Sequence, residues 1–179
     1  ETTHFSVIDR AGNMVANTYT IEQSYGSRVI AKGTGFLLNN QMHDFNMNPG
    51  ATDTNGMIGT LPNLIAPGKR MLSSMSPTLV LRDGSPFLIT GSPGGRSIIN
   101  TVLQVVLNVI DFGMDIEDAV ETPRFHHQWL PDMIQIEERA VPYETIHALE
   151  VRGHSIMLRS SIGEANCIQV DGGYMFGAA

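Results

Sequence analysis

Pro86-Phe87-Leu88-Ile89-Thr90 is a short apolar run that ends in Gly91-Ser92-Pro93-Gly94-Gly95, and Arg96 to Phe112 follows directly. The run is short and bounded by turn residues, as a hairpin strand would be. The segment after it carries Ile98, Ile99, Val102, Leu103, Val105, Val106, Val109 and Ile110, spaced for a mostly buried helix that Gly113 closes. Upstream, Ser76 to Leu81 pairs with Pro86 to Thr90 about Arg82-Asp83-Gly84-Ser85, which reads as a hairpin. A strand pair that feeds a helix through a glycine turn is the signature of a sheet with helices laid against it.

Outward from this stretch the same grammar recurs. Thr3 to Asp9 alternates loosely, Arg10-Ala11-Gly12-Asn13 supplies a turn, and Met14 to Thr20 returns rich in β-formers, predicting a first hairpin. Gly35-Phe36-Leu37-Leu38 predicts a short strand buried on both sides. Asn39 to Arg70 reads as one long loop with Pro49, Gly50, Gly56, Gly59, Pro62, Pro67 and Gly68, and loops of that length are often functional. Asp115 to Thr122 predicts a short helix stopped by Pro123, and Tyr143 to Arg152 an amphipathic one ended by Gly153. Short strands are expected at Ile134–Ile136, Ile156–Leu158, Cys167–Val170 and Tyr174–Phe176. Strand pairs followed by helices thus point to α+β or a sheet–helix layered sandwich, as one domain over residues 1–179.

Composition narrows the function. The 179 residues hold 11 basic and 18 acidic side chains, a net charge of −7, which argues against nucleic acid or an anionic membrane as the main partner. The longest apolar stretch, Val102 to Met114, is interrupted by Gln104, Asn108 and Asp111 and is too short to span a bilayer. A single cysteine, Cys167, excludes an internal disulfide and a Cys-based zinc site. Only 16% of residues are charged, so part of the surface is expected to be covered by another chain. With Glu1 first and no initiating Met, the chain is expected to be a processed product or part of a longer one.

Four places offer chemistry. Thr2 has a hydroxyl that becomes a nucleophile if its own α-amine is freed to act as base, and is otherwise a solvated threonine at a strand start. Ser92-Pro93-Gly94-Gly95 puts bare backbone N–H groups at a helix N-terminus, as an oxyanion hole or simply as a tight turn. Asn39-Asn40-Gln41-Met42-His43-Asp44 gathers amide, imidazole and carboxylate groups able to hold an ammonium, or to satisfy their own loop. Leu72-Ser73-Ser74-Met75-Ser76 offers hydroxyls for a carboxylate, or a strand entry. His126-His127 tempts a metal reading, but neighbours on extended chain face opposite ways and no third ligand stands near, so no metal is expected. Glu137-Glu138 reads as a solvated face.

Taken in order, Thr2-Thr3-His4-Phe5-Ser6-Val7, Gly35 to Met42, Pro67-Gly68-Lys69-Arg70, Leu72 to Thr78, Gly91 to Gly95 and Pro123 to Pro131 resemble γ-glutamyltransferase, and more narrowly the small subunit that autoproteolysis releases. The resemblance implies an N-terminal-nucleophile hydrolase fold, an αββα four-layer sandwich of which this chain is the C-terminal part. It implies that a precursor cleaves itself before Thr2, whose hydroxyl then attacks the γ-amide of glutathione or a related substrate. Water or the amine of an amino acid or peptide would take the acyl group from the resulting ester. By the same resemblance Thr20 supports the nucleophile, and Gly94 and Gly95 form the oxyanion hole. Glu22, Gln41 and Asp44 would hold the substrate α-amino group, and Ser73 and Ser74 its α-carboxylate. The implied partner is a large subunit from the same precursor, no cofactor is called for, and the implied location is periplasmic or extracellular.

The sequence departs from the family pattern in three places. Many members carry Asn where Glu22 stands. The family's acidic-Pro-Arg segment and final strand do not follow Ala179, so the chain is expected to stop short of the family's end. Glu1, if attached, leaves Thr2 with an amide in place of a free amine. A relative acting on poly-γ-glutamate or another acyl amide, and a silent subunit that only packs against a partner, are the other readings.

Overall fold

The computed structural model describes residues 1–179. Strands β1 (Thr2–Ile8) and β2 (Met14–Thr20) form an antiparallel hairpin in which Thr2 pairs with Thr20 and Ile8 with Met14. Asp9 pins the turn. Its carboxylate accepts from the Asn13 side chain at 2.7 Å and from the N–H groups of Asn13 and Ala11 at 2.9 and 2.8 Å, which holds its pKa below the usual carboxylate range.

Strands β3 (Thr78–Arg82) and β4 (Ser85–Thr90) make the second hairpin. Three further strands bracket the chain's second half, β5 (Phe125–His126), β6 (Ile134–Glu137) and β7 (Ile156–Arg159), and β8 (Cys167–Asp171) and β9 (Tyr174–Ala178) end it. A four-stranded antiparallel sheet runs β3-β4-β8-β9, and β5-β6-β7 forms a separate sheet with β6 and β7 parallel. Helices are α1 (Ile98–Ile110), α2 (Ile116–Glu121) and α3 (Tyr143–Val151). Asp115 caps α2 by accepting from the Asp118 N–H at 2.9 Å.

The central strand β4 is closed on both faces. Phe87 and Leu88 join Val105 and Val109 of α1, Ile116, Ala119 and Val120 of α2, and Ala165 and Cys167 in one core. Ile89, fully buried, points the other way, and there the β1–β2 hairpin crosses β3, β4 and β8. The order is thus hairpin, sheet, helices.

The predicted hairpins, the helices and the later strands form close to the expected limits. Helix α1 differs in its burial: Ile98, Val102, Val105 and Val109 are buried, but Ile99, Leu103, Leu107 and Ile110 form an exposed apolar stripe. Helix α3 buries no residue. Gly35–Leu38 is not a buried strand. Gly33 and Gly35, both at positive φ, fold it back on Val29–Ala31 as a bare ribbon that no sheet covers, leaving Phe36 73% exposed. Glu137 is not a solvated face either; it lies at the end of β6, 7% exposed. Its carboxylate accepts from the Arg124 N–H at 2.7 Å and from the Ile162 N–H, and sits 3.7 Å from the Arg124 guanidinium. Those donors replace the water it loses. His126 is buried and bonded to Gln128, whereas His127 is exposed and paired with Asp132 at 3.0 Å.

Candidate active site

The hairpin register sets the site. Because Thr2 and Thr20 are opposite each other, their hydroxyls meet: Thr2 Oγ1 donates to Thr20 Oγ1 at 3.0 Å. Thr20 Oγ1 donates in turn to the Glu1 carbonyl at 3.1 Å and accepts from the Glu22 N–H at 2.9 Å. The Glu1 carbonyl also accepts from the Ile21 N–H at 3.1 Å. The peptide bond between Glu1 and Thr2 therefore has two donors on its oxygen and a hydroxyl on the next residue.

Just past β2 the chain turns sharply, with Glu22 at φ 71°. One carboxylate oxygen, Oε1, lies 3.1 Å from His43 Nδ1, and the other, Oε2, is buried with no partner. His43 belongs to a single 3-10 turn, Gln41–Asp44, docked beside β2 by Asn40, whose Oδ1 accepts from the Gln23 N–H at 3.1 Å. Burial, and then the nearby charge of Glu22, push the Asp44 carboxyl up from its ordinary value, while Gln41 bonds to it. Glu22, Gln41 and Asp44 are thus brought together in one acidic cluster.

The glycine turn follows β4. Gly94 at φ 136° and Gly95 at φ 57° adopt backbone that other residues rarely take, and they open the turn that continues into α1. A Cβ on Gly94 would stand 2.7 Å from Ser97 Oγ and 3.3 Å from the Gly163 backbone. Ser74 is tied to this turn, its hydroxyl donating to the Gly95 carbonyl at 2.8 Å. Ser73 Oγ accepts from the Met75 N–H at 3.2 Å. A cavity of about 330 Å³ behind the turn is lined by Gly94, Arg96, Ser97, His126 and Gly163 among others, and by neither Thr2 nor Glu22.

Three further residues tie these segments together. His4 is buried against Gly91, where a Cβ would come within 2.2 Å of the ring. Ser6 Oγ donates to the Asn166 carbonyl at 2.9 Å and so accepts from His4 Nε2 at 3.1 Å, leaving His4 Nδ1 to accept from Thr18 Oγ1 at 2.7 Å. The Asn166 N–H closes the link on the Gly91 carbonyl at 3.0 Å, so β1 and the glycine turn are stitched together. Buried Asn63 donates to the Asp44 carbonyl at 2.7 Å and accepts from the Leu72 N–H at 3.0 Å, joining the Gln41–Asp44 turn to the serine segment. His43 is the third. His4 falls within the Thr2–Val7 motif and His43 within the Asn39–Asp44 cluster, whereas Asn63 carries no local signal.

Burial lowers the His4 pKa. The folded protein therefore binds fewer protons here than the unfolded chain, and stability is lost as pH falls below about 6.5, the value of a free histidine. Thermal unfolding between pH 8 and pH 5 is expected to show this loss, and His4→Gln to remove the His4 part of it. An equal slope in both proteins would refute the assignment.

Comparison with known proteins agrees with this architecture. The family model described as gamma-glutamyltranspeptidase matches residues 1–179. The glutathione hydrolase proenzyme of Escherichia coli (strain K12) is 47% identical over 180 residues, covering 100% of this chain and 31% of its own length. That of Pseudomonas aeruginosa is 44% identical over 175 residues, with 96% and 31% covered. The chain thus spans about a third of the length of these curated relatives. Among solved structures, an acivicin-inhibited gamma-glutamyltranspeptidase superposes with a TM-score of 0.90 at 48% identity, covering 98% of this chain and 96% of that one. The transpeptidase CapD of Bacillus anthracis, at 23% identity and a TM-score of 0.72, shares the fold. The fold is that of the N-terminal-nucleophile hydrolases, and this chain corresponds to its C-terminal part. With a match over its whole length and the paired threonines and glycine turn in place, the chain belongs to the gamma-glutamyltranspeptidase family.

Proposed function

We propose that this chain is the nucleophile-bearing subunit of an enzyme that transfers or hydrolyses the γ-glutamyl group of glutathione and related γ-glutamyl amides, working with a large subunit cut from the same precursor. The observation that carries the proposal is the Thr2–Thr20 hydroxyl pair set against the Glu1 carbonyl. In the precursor, Thr2 Oγ1 attacks that carbonyl, whose oxygen the Thr20 hydroxyl and the Ile21 N–H already polarise. The acyl group moves from nitrogen to oxygen, and water then releases it. The freed α-amine of Thr2 titrates near pH 8, so it can take the hydroxyl proton in the next reaction.

Thr2 Oγ1 then adds to the γ-carbonyl carbon of the substrate. The oxyanion forms against backbone N–H groups of the Gly94-Gly95 turn, and the leaving amine departs with a proton. A γ-glutamyl ester remains, which water or an acceptor amine cleaves to regenerate Thr2. Glu22, Gln41 and Asp44 suit the substrate ammonium because they place two carboxylates and an amide around an empty acceptor, Glu22 Oε2. Ser73 and Ser74 suit its carboxylate.

Intact mass under denaturing conditions tests the first step. A species beginning at Thr2, together with a larger chain, supports the proposal, and a single chain retaining Glu1 with no acyl adduct on Thr2 refutes it. Glu22→Ala is expected to raise KM for γ-glutamyl substrates by about tenfold or more. Substrates without an α-amino group should be affected much less. The two sets of KM values check this, and an unchanged preference removes Glu22 from the ammonium site.

A further inference from the structure

Glu22 has its two carboxylate oxygens in different situations. Oε1 is held by His43 at 3.1 Å and Oε2 is buried without a partner. The residue's backbone is fixed as well, with its N–H on Thr20 Oγ1 at 2.9 Å and φ at 71°. The only freedom left to the carboxylate is rotation of its side chain, and His43 holds that. The histidine itself is open to solvent, its side chain 59% exposed.

We infer that His43 is a positioning residue that orients Glu22 Oε2 toward the substrate ammonium and, on protonation, weakens substrate binding. The inference rests on the γ-glutamyl reading above. With a neutral ring, the Nδ1–H donates to Oε1 and fixes the carboxylate while leaving its charge available. A second proton on the ring places a positive charge on the carboxylate that the substrate's ammonium must use. Histidine makes that change between about pH 5 and 8. The titratable groups that face the ring are Glu22 from the end of β2 and Asp44 from the same turn. Asp44, pushed up by burial and by Glu22, adds to the deficit of positive charge that a substrate ammonium fills and a protonated His43 would pre-empt.

The test measures kcat and KM for hydrolysis of a chromogenic γ-glutamyl anilide from pH 5.5 to 8, using the processed two-chain enzyme. It compares the wild type with His43→Asn, His43→Ala and Glu22→Gln. Asn keeps an N–H donor but cannot gain charge. The ratio of wild-type KM to His43→Asn KM is expected to climb about fivefold as pH falls from 8 to 5.5, with the kcat ratio flat. His43→Ala, which loses the donor, is expected to show a raised KM at every pH. If Glu22→Gln raises KM while the His43→Asn ratio stays level, the inference is overturned and the ammonium reading survives. If Glu22→Gln leaves KM unchanged, the ammonium reading fails, and the role of His43 falls with it.

Discussion

Thr2→Ala is expected to abolish turnover, with a loss of at least about a thousandfold, because no other hydroxyl in the hairpin can replace the attacking atom. Thr20 is nearest, but its oxygen already serves three partners, Thr2 Oγ1, the Glu1 carbonyl and the Glu22 N–H. The same substitution removes the nucleophile that would cut the Glu1–Thr2 bond, so two readouts should fail together. Gel or mass analysis should show the precursor uncut, and a γ-glutamyl anilide should not be hydrolysed. Thr2→Ser, which keeps the oxygen, is expected to restore cutting and a measurable fraction of the rate. Substantial activity in Thr2→Ala would take Thr2 out of the reaction altogether.

Glu137→Ala should be the most damaging change away from Thr2. It strips the acceptor from two buried N–H groups, those of Arg124 and Ile162, and leaves the Arg124 guanidinium buried without its counter-charge. Breaking one side of a buried ion pair costs about 3–5 kcal/mol. In the processed two-chain protein that is a fall in Tm of several degrees. Activity should fall too, since Ile162 is followed by Gly163, whose backbone packs under Gly94. Replacing both members, Arg124→Leu with Glu137→Leu, should cost less than the two single changes added together, because it leaves no buried charge behind. Thermal scans of the processed protein at one fixed rate provide the measurement. A Glu137→Ala protein within a degree of the wild type would show that this network carries no stability.

What was legible in the chain was whatever is encoded locally. The hairpin Thr2–Thr20 announces itself by alternation and a Gly-Asn turn, and α1 by its spacing and the glycines at both ends. Residues that act across the fold gave no such sign. Glu137 reads as surface because a charged residue beside another charged residue usually is; only the folded chain shows two N–H groups and a guanidinium converging on it. Gly35–Leu38 fails for the opposite reason, since its apolar run has no sheet to join within these residues. Asn63 and His43 act through partners 19 and 21 positions away, and no periodicity reports a contact of that kind. Helical spacing predicts a mostly buried α1 and misses its exposed stripe, because spacing tells which residues share a face and not what lies opposite it.

The pairing of Thr2 with Thr20 also makes the distant bend at Asp9–Asn13 a ruler for the chemistry. That bend lies about 20 Å from Thr2, the length of a seven-residue strand. Adding or deleting one residue there would bring Tyr19 or Ile21 opposite Thr2 and turn Thr20 to the other face. A surface loop that looks free to accept a tag or a graft therefore has its length metered by the hydroxyl pair at the far end. Sequence drift in the bend can change its letters readily, but not its count.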